Sequence, residues 1–189
     1  MKRWMIALPV VPFLVAATVA VAPRPFVRDV AHSQINFVAE SQLVDAHGTF
    51  DRWDAEIMFD VEKLEASSVV ITIDAKSINT RIARRDDHLK GNDFFATDSF
   101  PTITFRSAFI NTLAEDRINI TGDLTIRGRT KRITIPSRLV FFDATRDMGR
   151  VKGQTVIDRN DFGVSFQPSL NKINPEIQLQ FDISFKAKR

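Results

Sequence analysis

Apolar and polar residues alternate along most of the chain after Val27, which is the pattern of β-strands with one buried face. About eight such runs follow one another. Their apolar positions are, in chain order, Ile35, Phe37 and Ala39; Trp53, Ala55, Ile57 and Phe59; Val69, Ile71, Ile73 and Ala75; Ile103 and Phe105; Ile118, Ile120, Leu124 and Ile126; Ile133, Ile135, Leu139 and Phe141; Val151, Thr155 and Ile157; and Ile177, Leu179, Phe181, Ile183 and Phe185. Runs with a single apolar face favour an antiparallel sheet, because parallel strands are buried on both faces.

Short polar segments separate these runs and predict hairpin connections. Arg127 and Gly128 lie between two runs, where glycine can adopt a positive φ. Residues 143–149, 160–163 and 171–175 mark further turns. Strands joined in series by short loops favour an eight-stranded barrel, which encloses either packed side chains or one small ligand. A sandwich of two sheets is the structural alternative.

Strand alternation stops between residues 79 and 95, where the sequence predicts a short helix. Thr80 can serve as its N-cap, residues 81–90 form it, and Gly91 ends it. A second short turn is predicted over residues 61–66. The predicted fold class is therefore all-β, with a short helix between strands of one domain.

Residues 1–22 have the composition of an export signal. Lys2 and Arg3 precede an apolar stretch, and residues 20–22 have the A-x-A form of a cleavage site. Pro23 disfavours a cut directly before it, and the apolar stretch approaches the roughly 20 residues that span a bilayer. A cleaved signal peptide and an uncleaved anchor both remain open. Either one places residues 23–189 outside the cytoplasm, in the periplasm or secreted, and the second keeps them near a membrane.

Composition limits the classes of function. The chain has 16 Phe and no Tyr, so it brings much apolar area without polar groups, which suits either a solid core or a lined cavity. The formal charge is +3, two of its cations are Lys2 and Arg3, and no later Lys/Arg run predicts nucleic-acid binding. The absence of Cys excludes disulfides, thiolate metal sites and cysteine nucleophiles.

Motifs for catalysis are missing from the sequence. It contains no nucleophile elbow, no zinc-protease helix and no phosphate-binding glycine loop. The cluster of Asp86, Asp87, His88 and Asp93 lacks the compact spacing of metal-binding loops. We expect no metal, cofactor or catalytic residue. An enzyme acting on an apolar substrate stays an alternative, because a Ser-His-Asp triad is recognised by geometry and not by sequence.

Several short segments recur here in the order and spacing of a known family. They are 32–37 (HSxIxF), 48–50 (GTF), 77–80 (SINT), 88–95 (HLKGNDFF), 100–107 (FPxIxFxS), 122–131 (GxLTIxGxTK) and 159–163 (RxDFG). Together they resemble the YceI-like family of exported, lipocalin-like barrels, also called polyisoprenoid-binding proteins, over essentially residues 27–185. Two positions depart from the family pattern: Phe100 replaces a usual Tyr, and Glu40 replaces a His found in many members. A role that depends on that His is not carried over.

The resemblance implies an eight-stranded antiparallel barrel whose apolar tunnel holds an isoprenoid-like chain, such as a polyisoprenoid, an isoprenoid quinone or a polyprenyl phosphate. It also allows a homodimer. With the hydrophobic pattern it assigns the tunnel wall to Ile35, Phe37, Phe50, Phe59, Ile71, Ile73, Phe105, Leu124, Phe141 and Phe162. The predicted function is extracytoplasmic binding, sequestration or transport of such a lipid. A structural or stress-response interaction barrel with a filled core is the alternative.

A ligand with a polar head group needs polar partners, for which the predicted helix offers guanidinium and imidazole groups. The head-group candidates are Arg81, Arg84, Arg85 and His88. The alternative is a solvated helix face whose charge is balanced by Asp86 and Asp87. Arg159 and Asp161 are further candidates for meeting a polar head group, and the alternative, which we favour, is that they form a structural ion pair that shapes a turn.

Overall fold

The computed structural model describes residues 22–188. Its strands are β1 Arg24–Arg28, β2 Gln34–Ser41, β3 Ala46–Phe50, β4 Trp53–Phe59, β5 Ser68–Asp74, β6 Ile78–Asn79, β7 Thr102–Ala114, β8 Arg117–Ile126, β9 Arg129–Asp143, β10 Met148–Asp158 and β11 Ile173–Ala187. Helix α1 spans Ala83–Lys90, and 3-10 turns span Val30–His32, Leu64–Ala66, Ala75–Ser77 and Arg159–Phe162. In this part of the chain no helix is long and apolar enough to cross a membrane. The predicted export segment lies outside the described residues, apart from Ala22.

The strands form a closed antiparallel barrel with eight positions around its circumference. β1 and β2 share the first position, β3 and β4 the second, and β5 and β6 the third, while β7 to β11 take one each. Each position pairs with the next along the chain, and β11 closes the ring by pairing with both β2 and β1. The predicted eight-stranded antiparallel barrel is confirmed.

Polar side chains interrupt the first and third positions of the barrel. Asp29 accepts the backbone N–H of Ala31 at 3.2 Å, and the Ser33 hydroxyl donates to the Asp29 carbonyl oxygen at 2.6 Å. Asp74 accepts the N–H of Lys76 at 2.9 Å in the same way. Such local bonds compete with the sheet ladder, so a 3-10 turn separates the two strands at each of these positions.

One end of the barrel is filled by aromatic rings. This closed end is where β1 begins and β11 ends, and it carries the connections 60–67, 115–116 and 144–147. The rings of Phe26, Phe59, Phe142 and Phe185 meet there, with centroids 5.0 to 6.5 Å apart and mostly edge-to-face or tilted contacts. Such geometry stabilises aromatic clusters beyond the area that they bury. This half of the barrel is largely a packed core.

The opposite, open end carries α1, the turn 42–45, the turn at 127–128 and the loop 163–172. Arg127 and Gly128 both have positive φ, 49° and 71°, which is the requirement of a two-residue type I′ hairpin. The Arg127 guanidinium donates to the carbonyl oxygens of Asn92, Phe94 and Gly163, each at 2.8 Å. The β8–β9 hairpin is thereby tied to the connection that follows α1.

The beginning of α1 differs from the prediction. Its N-cap residue is Ile82, which offers no side-chain acceptor, so the prediction that Thr80 caps the helix was wrong. Thr80 instead donates its N–H and its hydroxyl to Oδ1 of Asp86, at 2.8 and 2.5 Å. Arg81, with a φ of 65°, turns the chain between these residues. Gly91 ends the helix as predicted.

The predicted inward position of Phe141 was also wrong. The side chain is 43% exposed on the outside of the barrel. Leu139 pairs with Val151 and Phe141 pairs with the adjacent Arg150, so β9 contains one extra residue there. Such a β-bulge reverses the alternation of faces beyond it. Phe142 therefore takes the inward position and joins the aromatic cluster at the closed end.

Candidate functional site

The open half of the barrel contains a cavity of about 310 Å³. Ligand sites commonly measure about 300 to 1,000 Å³, so this volume lies at the lower end of that range. Of the predicted wall residues, those that line it are Ile35, Phe37, Phe50, Ile71, Ile73, Phe105, Leu124 and Phe162. Phe59 lines a separate cavity of about 70 Å³ in the closed half, and Phe141 lines neither.

Four side chains form a waist between the two cavities. Ile71, Phe105, Ile135 and Phe181 line both cavities and therefore lie at the boundary between them. The Phe181 ring lies against Gly153, where an added Cβ would come within 2.5 Å of the ring's Cε1. Because glycine occupies this position, the ring can lie close to the wall and narrows the interior less than it otherwise would.

Polar groups reach the main cavity mainly from the open end. The polar residues among those that line it are Ser41, Arg85, His88, Thr155, Arg159, Asn171 and Gln180. Of the head-group candidates, Arg85 and His88 therefore line the cavity. Arg81 and Arg84 are exposed and do not line it. Arg85 and His88 lie about one turn apart on α1 and reach the cavity, whereas Arg81 and Arg84 lie on the solvent side.

Arg85 is held by Thr80. Its Nε donates to the Thr80 hydroxyl oxygen at 2.8 Å, and its Nη2 donates to the Thr80 carbonyl oxygen at 2.9 Å. The same hydroxyl donates to the buried carboxylate of Asp86, so the three side chains form one network. Among the described residues Nη1 of Arg85 has no protein acceptor. The guanidinium is thus oriented by the protein and retains N–H groups for a ligand oxygen.

His88 is oriented by a carboxylate and two rings. Its Nε2 lies 2.9 Å from Oδ2 of Asp93. The imidazole meets the rings of Phe94 and Phe166 edge-on, with centroids 5.0 and 5.4 Å apart. Within residues 22–188 no three His, Asp or Glu side chains are grouped so that they could hold a metal ion. Because His88 contacts Asp93 on one side and two phenyl rings on the other, the two residues form a polar pair at the edge of an apolar wall.

Arg159 makes no ion pair with Asp161, so that prediction was wrong. Only 6% of Arg159 is exposed, and its guanidinium donates to the carbonyl oxygens of Val164 (2.6 Å), Phe166 (3.0 Å), Ile173 and Asn174 (both 3.2 Å). Burial lowers the pKa of Arg159 from its ordinary value, and the charge of Asp158 opposes that shift. Asp161 instead contacts Lys131 at 3.2 Å. The role of Arg159 is to fold the loop 163–172 over the open end.

Several wall residues were not assigned from the sequence. Ile177, Leu179 and Phe181 line the cavity from β11, and Phe94 and Phe95 line it from the connection after α1. The alternation along β11 was visible in the sequence and could have assigned the first three. Nothing in the local pattern of residues 91–96 shows that two adjacent rings turn towards the barrel axis, because that segment has no strand periodicity.

Comparison with known proteins places the chain among bacterial relatives. A UPF0312 protein of Staphylococcus aureus is 33% identical over 170 residues, covering 86% of this chain and 94% of the relative. The crystal structure of Burkholderia cenocepacia BcnA is similar with a TM-score of 0.76 and 26% identity, over 83% of this chain and 98% of that one. A polyisoprenoid binding domain from Saccharophagus degradans, implicated in plant cell wall breakdown, shares the fold with a TM-score of 0.71 and 19% identity, over 86% and 98% of the two chains. The profile of the YceI-like domain matches residues 26–185, and the chain therefore belongs to the YceI-like family.

Proposed function

We propose that the protein binds an elongated apolar lipid of the isoprenoid class in the main cavity and sequesters or carries it outside the cytoplasm. The observation that carries the proposal is the cavity of about 310 Å³, whose wall is built mostly of Phe, Ile and Leu side chains. The Saccharophagus degradans domain, which shares the fold, is described as polyisoprenoid-binding. Residues 1–22, with the composition of an export signal, support the location.

The arrangement of polar groups supports a ligand with an apolar tail and a polar head. The tail would extend from the open end towards the waist, to which Phe105 and Phe181 belong. Arg85 and His88 lie at the open end, where a head group would remain. Guanidinium N–H groups bind phosphate and carbonyl oxygens, so a polyprenyl phosphate and an isoprenoid quinone both suit the site.

The wall favours binding over catalysis. Its polar groups are oriented towards structural partners: Arg85 to Thr80, His88 to Asp93 and Arg159 to four carbonyl oxygens. Such bonds hold side chains in place without pairing a nucleophile with a base, which covalent catalysis requires. Burial of apolar surface then supplies the driving force. At about 0.8 kcal/mol per CH₂, each isoprene unit contributes at most about 3–4 kcal/mol, which the loss of ligand freedom partly offsets.

The proposal is tested by asking what the purified protein holds. Native mass spectrometry and organic extraction of protein from its own cells should yield a stoichiometric isoprenoid lipid. For protein that has been stripped of lipid, affinity for a series of isoprenoid alcohols should rise with chain length until the cavity is full. Affinity that does not depend on chain length, together with a lipid-free extract, would contradict the proposal and favour a structural role.

A cavity-filling variant provides the matched test. Leu124 lines the main cavity, whereas Leu113 is exposed on β7, so Leu124→Trp and Leu113→Trp introduce the same ring inside and outside the barrel. Leu124→Trp should abolish the rise in Tm that the alcohols give by mass action, and Leu113→Trp should retain it. If both variants lose the rise in Tm, or if both retain it, the cavity is excluded as the binding site.

A further inference from the structure

The rim of the main cavity carries aliphatic side chains that face solvent. We call residues 42–45 and 167–172 at the open end the lip. On it Leu43 is 68% exposed, Val44 is 64% exposed and Leu170 is 84% exposed. Each of these side chains leaves apolar area in water, which costs free energy in the isolated protein. Three such residues on two adjoining loops call for an explanation, whereas scattered single ones do not.

The two halves of the lip are joined by hydrogen bonds. The N–H of Leu43 donates to Oδ1 of Asn171 at 2.8 Å, and the N–H of Gln42 donates to the carbonyl oxygen of Lys172 at 3.0 Å. Gln167 braces the second loop, since its Oε1 accepts the N–H of Ile173 at 2.7 Å. The exposed side chains therefore stand on a braced scaffold that keeps them at the rim.

The lip is continuous with the cavity wall. Val44 and Asn171 belong to the lip and also line the cavity, together with Pro168. A ligand that enters or leaves by the open end would pass between these loops and α1. The apolar wall thus continues to the outside of the molecule at the lip, where Leu43, Val44 and Leu170 face solvent.

We propose that the lip docks on a lipid bilayer, with Leu43, Val44 and Leu170 in the interfacial layer, so that an isoprenoid chain passes between bilayer and cavity without crossing water. This inference rests on the proposed function. A stable protein interface engages roughly 20 to 30 residues on each side, many more than the lip offers, so a protein partner fits it poorly. A few aliphatic side chains suffice for weak, reversible contact with a membrane interface, which suits a carrier that must leave again.

Charge gives the docking a further property. The lip contains one acidic side chain, Asp45, and one basic side chain, Lys172, so it carries no net charge. Asp45 is engaged locally, because its Oδ1 accepts the N–H of Ser41 at 2.9 Å. Docking driven by the lip is therefore apolar, and it depends little on salt or on anionic lipid, unlike attraction through a basic patch.

The experiment uses the double variant Leu43→Asn/Leu170→Asn, with Leu113→Asn as the matched control. Leu113 is also a leucine of high exposure, 63%, and it lies at the closed end of the barrel. All proteins keep the same N-terminus, so any membrane contact made by that segment is common to them. Dansyl-labelled geranylgeraniol is offered either from ethanol or from phosphatidylcholine vesicles, and its fluorescence in the protein is followed with time.

The lip variant should bind the probe from ethanol with unchanged affinity, because Leu43 and Leu170 do not line the cavity. Its loading from vesicles should be slower by about tenfold for each leucine, somewhat less than full burial of a leucine would give. Leu113→Asn should load like the wild type in both assays. Addition of phosphatidylglycerol or of salt should change the rates little.

The outcomes separate the two proposals. Equal loading from vesicles by the lip variant and the wild type would overturn docking by the lip, even if the protein binds the probe well. Sedimentation of lipid-free protein with the same vesicles tests the lip without any cargo. If no protein binds the probe but sedimentation still depends on Leu43 and Leu170, lipid carriage is wrong and membrane docking stands. If the lip variant loads and sediments like the wild type, docking is wrong.

Discussion

The ring of Phe37 on β2 lies against Gly48, its partner in register on β3, in the place where a side chain at Gly48 would stand. The three atoms nearest to a Cβ built on Gly48 would all belong to that ring: they are Cζ, Cε1 at 2.5 Å and Cε2 at 3.0 Å. Phe37 also lines the main cavity. Because the glycine leaves room at the wall, the ring lies along the wall and leaves the cavity open.

Gly48→Ala should therefore reduce lipid binding through Phe37. The added methyl group displaces the ring towards the barrel axis, where it takes volume from the cavity. Overpacking of this kind costs typically about 1 to 3 kcal/mol of unfolding free energy. We expect chemical denaturation to show a loss in that range and the affinity for geranylgeraniol to fall about tenfold.

The control for this prediction is Phe37→Leu, alone and combined with Gly48→Ala. With the ring removed, the alanine no longer meets an obstacle, so the double variant should bind and unfold like Phe37→Leu alone. Equal effects of Gly48→Ala in both backgrounds would show that the alanine acts through the backbone of β3 and not through the ring.

Arg85→Met tests where the polar head of a ligand lies. The change removes the guanidinium that lines the cavity but keeps a side chain of similar length. Hydrogen bonds to charged groups contribute about 1.5 to 3 kcal/mol, so affinity for geranylgeranyl phosphate should fall at least about tenfold. Affinity for an isoprenoid hydrocarbon of equal length should not change. Isothermal titration of both ligands measures the difference.

Arg84→Met is the matched control, since Arg84 lies next to Arg85 on α1 but is exposed and does not line the cavity. It should leave both affinities unchanged. A fall in phosphate affinity with Arg84→Met would indicate general attraction by the helix. Equal losses for phosphate and hydrocarbon with Arg85→Met would indicate a damaged wall.

The sequence predicted the barrel because its strands are amphipathic and joined in series. The alternation of apolar and polar residues therefore shows both where each strand lies and which of its side chains point inward. It also predicted most of the wall, since inward positions such as Ile71 and Phe105 follow from that periodicity. Prediction failed where one residue altered the register. The bulge before Phe141 reverses the faces of β9. Because residues 141 and 142 are both Phe, hydrophobicity does not show which of them faces inward.

The partners of charged residues were less predictable than the strands. Arg159 and Asp161 are close in sequence, yet the guanidinium binds carbonyl oxygens of the loop 163–172 and the carboxylate contacts Lys131 on β9. Backbone acceptors leave no trace in side-chain chemistry, so a sequence cannot display them. The size of the cavity is equally hidden, because it depends on how rings such as Phe37 lie against the wall.

Asp182 should make the stability of the fold depend on acid pH. Arg150 donates to both of its oxygens, at 2.7 and 2.6 Å, and Lys152 lies 3.2 Å away. These contacts, above all the hydrogen bonds from Arg150, lower the pKa of the Asp182 carboxyl below its ordinary value. A folded-state pKa below the unfolded value of about 3.9 means that the ionised carboxylate stabilises the fold above about pH 4 and that this contribution is lost as pH falls through the folded-state pKa.

Asp182→Asn should accordingly lower the free energy of unfolding by about 1 to 3 kcal/mol at pH 7. At an acid pH below the lowered folded-state pKa, the wild-type carboxyl is protonated and the difference should largely vanish. Urea denaturation at both pH values provides the measurement. Asp54→Asn, at a carboxylate that is 82% exposed, should change stability by less than about 0.5 kcal/mol at either pH. A deficit for Asp182→Asn that persists undiminished in acid would assign its effect to packing and not to charge.

Arg159→Met should disorder the open end of the barrel. The change removes the guanidinium donors from the carbonyl oxygens of Val164, Phe166, Ile173 and Asn174, of which Ile173 keeps Nε2 of Gln167 at 3.1 Å. Each buried carbonyl left unsatisfied costs about 1 to 3 kcal/mol. The loop 163–172 can escape part of this cost by opening to water, so the loss of global stability should stay near about 3 to 5 kcal/mol. Hydrogen exchange of the N–H groups of Val164 and Ile173 should accelerate much more than that of the central strands.

Arg159→Lys distinguishes charge from geometry at this position. A lysine keeps the charge but places three donors on one atom, so it cannot reach four carbonyl oxygens that a planar guanidinium spans. It should recover less than half of the lost stability and leave the exchange of Val164 fast. Because Asn171 in the same loop holds Leu43 by a hydrogen bond, both variants should also loosen the lip. If Arg159→Lys protects the loop as the wild type does, a point charge is sufficient and the shape of the guanidinium is not required.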